Sequence, residues 1–186
     1  MIDFTALRKL AVELAVISVG DMLSRLDNSN DPSILREYST DKAAHPFMTY
    51  DVRWYGTDHQ RPVNSYFDEQ DRLCNEYLEK IDIKYCCKGD KAQEIISQLY
   101  DYLLSMTTRE RVSARVEGLS VLSLTTPRMA PVVNGTQYVE DHSFIVKLNY
   151  MNKVIDKFAK PIEGAEITSC VIGTAETTTF TFDIPT

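Results

Sequence analysis

Apolar side chains at the start of the chain recur at the three-and-four spacing that places them on one face of a helix. This pattern predicts a helix over residues 3–26, with the charged residues Arg8, Lys9 and Glu13 largely on its other side. The positions predicted to be buried are Phe4, Leu7, Leu10, Ala11, Leu14, Ile17, Met22, Leu23 and Leu26.

Beyond this helix the hydrophobic period changes to two, which is the period of a half-buried strand. Turn-forming residues at 27–32 end the helix, and the polar connector that follows has room for a short helix around Ile34 to Tyr38. A strand is then predicted from Phe47. The residues that share one face of this strand are Met48, Tyr50, Val52 and Trp54.

A long polar loop is predicted over residues 56–71, because this stretch is polar and contains Pro62. A second strand follows, and it is clearest where Ile81, Ile83 and Tyr85 alternate with charged residues. Two antiparallel strands joined by an extended loop fit these signals. A loop of that length on a small domain often has a function.

A second helix is predicted to begin at Asp90, which has the spacing of a capping box with Gln93. Thr107 and Glu110 repeat that signal, so a shorter helical turn is predicted to follow and to stop at Gly118. The predicted buried face of the second helix consists of Ala92, Ile95, Ile96, Leu99, Tyr102, Leu103 and Met106.

The second half of the chain is dominated by strand patterns. Asn134-Gly135 between two apolar runs predicts a hairpin, since both central residues of a type I′ turn need positive φ. Pro127 and Pro131 interrupt the outgoing run, so that strand is predicted to lie at a sheet edge or to be bulged. The last residues predict a terminal hairpin. The predicted fold class is α+β, a mostly antiparallel sheet with helices packed on it and a C-terminal β-hairpin.

Length and composition favour one folded domain with a small appendage, since 186 residues of 44% hydrophobic content can bury a core. We divide the chain into an α+β domain over residues 1–157 and a C-terminal hairpin extension or arm over residues 158–186. The net charge of −7 argues against a protein whose main task is to bind phosphates. Charged residues near the N-terminus argue against a signal peptide or membrane span, so a cytosolic chain that starts at Met1 is expected.

Motifs for catalysis and for metal binding are absent from the sequence. The four cysteines form no CxxC pair and the three histidines lie in different predicted segments, so no metal and no cofactor is predicted. Reduced thiols are expected, with Cys86 and Cys87 on opposite faces of their strand. Carboxylates cluster at residues 68–71 and at Glu140-Asp141, where a solvated rim is a simpler explanation than acid–base chemistry.

Arginines and aromatic residues are the strongest candidates for an interface. Arg111 and Arg115 are four residues apart on one helical face near Arg109; such a trio can bind a phosphate or, more commonly, pair with neighbouring carboxylates. Amphipathic aromatics bracket the predicted loop and are typical interface anchors, although a core position explains Trp54 equally well. The predicted interface residues are Trp54, Tyr55, Tyr66, Phe67, Arg109, Arg111, Arg115, Phe180 and Phe182.

The order and character of these segments resemble bacteriophage neck and tail-terminator proteins. The similarity covers residues 1 to about 157 and contains no catalytic signature, so it supplies no catalytic residue. It rests on the N-terminal helix, two strands, the helix after them and a late hairpin. The segments after the N-terminal helix are HPFMTYDV, IDIKYCCKGD, KAQEIISQLYDYL and EDHSFIVKLNYMNKV.

This resemblance implies a small α+β sandwich whose copies form a hexameric ring on the last ring of the tail tube. The other side of the ring would meet the head connector, a sheath is a further candidate partner, and DNA would pass through the lumen without specific binding. The acidic net charge fits such a lumen, because like charges repel. Segments 27–46 and 56–71 become candidates for contacts with neighbours. The protein would belong to the virion neck, would be assembled in the bacterial cytoplasm and would have no membrane partner.

Two other functions stay open at this stage. A head-completion or connector-docking neck protein would use the same kind of module against a different neighbour. A small cytosolic enzyme would instead place Asp68 and Glu69, or Arg111 and Arg115, in a cleft between helix and sheet. A shifted carboxylate pKa in a concave pocket would favour the enzyme, whereas an aromatic-rich surface with open strand edges would favour assembly.

Overall fold

A computed structural model of the protein describes residues 2–27, 33–37, 46–57, 61–130, 132–134, 137–156, 159, 166–168 and 179–181. Within these ranges three helices pack on a mostly antiparallel sheet, which confirms the predicted α+β class. The helices are α1 (Phe4–Asp27), α2 (Ala92–Leu104) and α3 (Met106–Arg115). The strands are β1 (Ile34–Arg36), β2 (Phe47–Thr57), β3 (Asn64–Phe67), β4 (Leu73–Lys88), β5 (Leu119–Leu124), β6 (Arg128–Met129), β7 (Val132–Asn134), β8 (Gln137–Val139), β9 (Asp141–Asp156), β10 (Glu166–Thr168) and β11 (Thr179–Thr181).

A long antiparallel ladder forms the centre of the main sheet. The sheet order is β1-β2-β4-β9-β5, with β3 added to β4 and β6 added to β9. β4 and β9 are each 16 residues long and pair without a register shift. At about 3.4 Å per residue the ladder is about 54 Å long. It is therefore longer than the helix layer that packs on it.

The helices bury one face of only one half of this ladder. The ring of Phe144 lies between Tyr85 and Tyr100, with centroid distances of 5.7 and 5.6 Å. The Tyr85 hydroxyl donates to the carbonyl of Ala11 at 2.9 Å and so joins β4 to α1. Burial raises the pKa of this hydroxyl well above its usual range. The ladder residues buried under the helices are Ile81, Ile83, Tyr85, Cys87, Phe144, Val146 and Leu148.

The other half of the ladder continues past the helices as a three-stranded projection, which we call the arm (residues 61–78 and 151–156). β3 pairs with one edge of β4 here, and the end of β9 pairs with the other edge. α1 begins at the base of the arm, where the ring of Phe4 meets Trp54 edge-on at 6.5 Å. Eight residues separate Leu73 from Ile81, so the arm projects about 26 Å beyond the helix-covered core at about 3.3 Å per residue.

The buried stripe of α1 differs from the predicted one at Ile17. That side chain is 48% exposed. The prediction of a buried Ile17 was therefore wrong. Steps of four residues define the stripe, because they keep side chains on one helical face. They run through Leu7, Ala11, Ala15, Val19 and Leu23, all of them buried.

Sheet pairing overrides the local pattern in two segments that precede β4. The short helix predicted around Ile34 to Tyr38 is instead β1 in its described part, because the edge of β2 offers backbone partners: the Met48 amide donates to Ser33 at 2.9 Å and the Glu37 amide donates to Tyr50 at 2.7 Å. The loop predicted over residues 56–71 contains the end of β2 and all of β3. β1 pairs with β2, whereas β3 forms a hairpin with the next strand, β4, around residues 68–72; strand propensity depends on such pairing context and is weakly visible in short segments.

The helix starts also differ from the capping predictions. Lys91 is the N-cap of α2, with φ of 62° and no side-chain cap, while Asp90 belongs to the preceding turn. The N-cap of α3 is Ser105 and not Thr107; its hydroxyl accepts the amide hydrogen of Thr108 at 3.3 Å. Met106, predicted as part of the buried face of α2, opens α3 and is 69% exposed.

The strand predictions for the second half are confirmed. β5 is an edge strand of the main sheet, which is one of the two outcomes predicted from the prolines, and Pro127 lies between β5 and β6. The register of β5 with β9 shifts between Val121 and Ser123, away from the prolines. β7 and β8 form the predicted hairpin, with Asn134 opposite Gln137. β10 and β11 pair as a terminal hairpin. None of the described helices is long and apolar enough to cross a membrane.

The two adjacent thiols lie on opposite faces of β4, as predicted. Cys87 belongs to the core under the helices, while the Cys86 thiol donates to Oδ1 of Asp141 at 2.9 Å. Asp141 is buried, so the solvated rim predicted for this residue was wrong. Burial raises the pKa of Cys86 and of Cys87 to about 12 each, and the Asp141 carboxylate adds to the effect on Cys86.

Alkaline pH should destabilise the protein through these thiols. The unfolded thiols ionise near pH 8.5, whereas the native ones keep their protons to about pH 12, so the native state binds more protons in between. We expect the free energy of unfolding to fall by about 2 kcal/mol between pH 8 and 9.5. Urea unfolding at both values measures this loss. The Cys86→Ser/Cys87→Ala variant should lack most of it, and an equal loss in that variant would contradict the assignment.

Candidate functional site

A buried carboxylate lies at the base of the arm. Glu79 is 5% exposed and shares the helix-facing side of β4 with Ile81. Each of its oxygens accepts a hydrogen bond: Trp54 Nε1–H donates to Oε2 at 2.8 Å, and the Asn152 amide donates to Oε1 at 2.6 Å. A buried carboxylate is stable only when its oxygens have such partners. The two bonds join β2 and β9 to β4 where the helix layer ends.

Trp54 lies beside this carboxylate, and Tyr55 follows it on the opposite face of the sheet, near Lys80 and Asp82. Trp54 is 52% exposed although its indole N–H is held, so it is not a core residue. Tyr55 is 60% exposed and occupies a bulge between Trp54 and Gly56. Gly56 has φ of +75°, which favours glycine. The predicted aromatic pair is therefore fixed at its backbone and open to solvent at its rings.

Tyr66 and Phe67 lie on β3 in the arm and differ in availability. The Tyr66 hydroxyl donates to Oε1 of Glu76 at 3.2 Å, and the Lys153 ammonium lies 5.0 Å from its ring centroid. These neighbours half-bury Tyr66. Phe67 points to the other face and is 42% exposed. Of the two, Phe67 is the better placed to contact a partner.

The turn that closes the arm is organised by Asp68. One oxygen of Asp68 accepts the amide hydrogens of Gln70 and Arg72 at 3.0 Å each, and the other pairs with the Arg72 guanidinium at 2.7 Å. The hydrogen bond from Arg72 is the main cause that holds the pKa of Asp68 well below its usual range. Such a carboxylate stays ionised and cannot serve as a general acid. The shallow depression around it is lined by residues of the arm alone, so Asp68 and Glu69 do not lie in a helix–sheet cleft.

The three arginines of α3 do not form one shared surface. Arg115 pairs with Glu13 of α1 at 2.7 Å, which is the carboxylate pairing that was expected. Arg111 instead donates to the hydroxyl of Tyr102 at 2.9 Å, which joins α3 to α2. Arg109 is half-buried, and its Nε has no hydrogen-bond partner among the described residues. Two of the three therefore connect helices within the chain.

A shallow apolar groove runs along α1, which we call the α1 groove. Its floor consists of Val12, Val16, Ile17 and Tyr50. Arg8, Lys9, Thr5 and Glu13 complete its lining, and its volume is about 450 Å³. Arg8 and Lys9 make no ion pair with a described residue, whereas Glu13 is neutralised by Arg115. The groove is thus apolar at its floor and positive at its rim.

The sheet face opposite the helices is polar. Glu37 accepts a bond from the Lys84 ammonium at 2.8 Å, and Asp51 pairs with Arg53 at 2.7 Å. The bond to Glu37 is the main cause of the raised pKa of Lys84. These pairs neutralise one another across β1, β2 and β4. The described residues of this face therefore carry charges of both signs.

Several residues named in the sequence analysis are not among those that the structure describes. Phe182, His45, His59 and Cys170 fall outside the described residues, and for Phe180 only the backbone of β11 is described. Within the described part of the chain, no group of three or more His, Cys, Asp or Glu residues could hold a metal ion.

Sequence reasoning missed Glu79 and the α1 groove. Glu79 has the same parity along β4 as Ile81, Ile83 and Tyr85, so a charge within an apolar face was the available signal. Ile17 was counted as core, which concealed the apolar strip that it forms with Val16 on the exposed side of α1.

Comparison with known protein families gives one result that spans most of the chain. Residues 11–176 match the family model described as phage neck terminator protein. Among curated proteins, none matches the chain. The matched range contains most of α1, all of α2 and α3, and the complete main sheet with its arm.

Proposed function

This chain belongs to the phage neck terminator family, and from that membership we propose that it ends the tail tube as a ring of identical copies. We propose further that the ring is hexameric, that one side caps the tube and that the other side meets the head connector. The family is one of structural proteins of the phage neck. The match over residues 11–176 is the observation that carries the proposal.

The surface of the chain supports assembly. A closed ring of head-to-tail contacts needs two different complementary patches on each copy. The chain has an arm with exposed apolar side chains, half-exposed aromatics at its base and a separate apolar groove on α1. Exposed apolar groups on a small domain commonly mark surfaces that a partner covers. The described carboxylate whose pKa departs most from its usual value, Asp68, has a lowered pKa because Arg72 binds it on the arm, which does not suit a general acid.

The remaining partners follow from the same placement in the virion. We propose that DNA passes through the ring without specific binding, as the net charge of −7 would favour. Tail tube protein, head connector and, in a contractile tail, sheath are the proposed neighbours. The interface residues on the sheet and arm are Trp54, Tyr55, Tyr66 and Phe67. The C-terminal segment over residues 158–186, whose sequence includes Phe180 and Phe182, is proposed as a contact extension.

Arrest of tube growth tests this function. Purified tail tubes of the parent phage are mixed with the chain, and tail tube subunits are then added under elongating conditions. We expect tubes capped by the chain to stop growing at one end, so that the length distribution in electron micrographs stays short. An unrelated acidic protein at the same concentration is the control. Elongation equal to that control would contradict the terminator function and would favour a head-side neck protein.

A further inference from the structure

A second copy of the chain has the surface that fits the α1 groove. We propose that the arm tip, defined as residues 67–72, of one copy docks into the α1 groove of the next copy. This contact rests on the proposed ring, in which the arm tip and the α1 groove would be the two surfaces that meet between neighbouring copies. The two surfaces differ, so the contact is of the head-to-tail kind.

The groove side needs an apolar and negative partner. Val12, Val16 and Ile17 expose apolar surface along successive turns of α1, and Tyr50 borders them. Arg8 and Lys9 lie at one end of this strip without an ion partner among the described residues. In a chain of net charge −7, two such cations at an apolar groove form a locally positive site.

The arm tip has the opposite properties. Phe67 ends β3 at the tip and is 42% exposed. Glu69 and Asp71 are exposed in the closing turn and pair with no described residue, while Asp68 and Arg72 neutralise each other. The tip therefore presents the apolar ring of Phe67 beside two uncompensated negative charges. These match the floor and the two cations of the α1 groove.

The geometry favours contact between copies over contact within a chain. The β4–β9 ladder pairs without a register shift and holds the tip about 26 Å beyond Ile81, past the end of the helix layer. The α1 groove lies on residues 5–17 of the helix layer. A tip that bent back would have to break the ladder. The next copy in a ring can instead present its groove to the tip.

Charge reversal tests the contact in solution. Arg8→Glu/Lys9→Glu reverses the groove, and Glu69→Lys/Asp71→Asn reverses the tip while keeping a residue that tolerates the φ of 55° at position 71. We expect each variant to self-associate at least about tenfold more weakly than the wild type, because like charges oppose each other at the rim. In the variant that combines all four changes, self-association should recover to within about threefold of the wild type, because this variant restores complementary charges.

Sedimentation velocity over a wide range of protein concentration, at low and physiological salt, measures the self-association of the wild type and of each variant. Glu94→Lys on the exposed side of α2 is the matched control and should associate like the wild type. Circular dichroism checks that every variant is folded.

A monomeric wild type at all concentrations, unchanged association in both reversed variants, or no recovery in the combined variant would each overturn the contact. The tube-growth experiment separates this result from the proposed function. Reversed variants that still stop tube growth leave the terminator function intact while the contact fails. If the wild type does not stop tube growth, the terminator function itself fails.

Discussion

Replacing Phe144 by alanine is expected to lower the free energy of unfolding by about 3–5 kcal/mol. Its ring fills the space between Tyr85 and Tyr100, where β9 meets β4 and α2. Truncation removes apolar burial and leaves a cavity, because the ladder and the helix that surround it cannot both collapse. A loss of this size is a large fraction of the total stability of a small domain.

Lys147→Ala on the same strand provides the matched control. Lys147 is exposed and belongs to the opposite, polar face of β9, so its removal should change stability by no more than about 0.5 kcal/mol. Urea unfolding of the wild type and both variants measures the difference. Equal stability of Phe144→Ala and wild type would mean that the helices do not pack on this part of the sheet.

Replacing Glu79 by alanine is expected to cost about 2–4 kcal/mol. The change removes the acceptor of the Trp54 indole and of the Asn152 amide, so two part-buried donors lose their protein partner where Glu79 itself is 5% exposed. Glu79→Gln should cost less, because its carbonyl oxygen still accepts one of the two bonds while its amide group opposes the other donor.

Trp54 is the only tryptophan in the chain, so its fluorescence reports directly on this site. We expect its emission maximum to shift in both Glu79 variants at native conditions. Glu117→Gln changes an exposed carboxylate near the arm and should leave both emission and stability as in the wild type. Loss of stability without any change in Trp54 emission would contradict the hydrogen bond to Glu79.

Periodicity predicted the helix-covered half of the fold well. β4 and β9 alternate apolar and polar residues there because one face is buried and the other is solvated, so a period of two is imposed by burial. Asn134 with the glycine after it predicted the β7–β8 hairpin through its turn chemistry, and the prolines indicated that β5 lies at a sheet edge. These signals are local, and the sequence carries them directly.

The arm and the small edge strands could not be predicted in the same way. β1 has three residues and β3 has four, so neither is long enough to show a period, and both are held by backbone bonds to longer neighbouring strands. The caps failed for a related reason: Ala92 donates to the Gly89 carbonyl at 3.1 Å, so the turn before α2 satisfies an amide that the predicted Asp90 cap would have served.

Of the candidate surfaces, the sequence predicted only a part. Exposed Trp54, Tyr55 and Phe67 were found from their position around the predicted loop. The α1 groove was not found, because the fold decides which flank of an apolar helix is covered. In the sequence, Arg8 and Lys9 were assigned to the solvated side of the helix. The structure places them in one groove with Val16 and Ile17, and this arrangement makes them candidates for a contact.

Cryo-electron microscopy of the chain bound to tail tubes of its parent phage tests the terminator function. We expect a ring of density on one end of each tube, into which six copies fit with the arm tip of each copy seated on the α1 groove of the next. Bare tube ends, with density on head connectors alone or on neither partner, would contradict the terminator function.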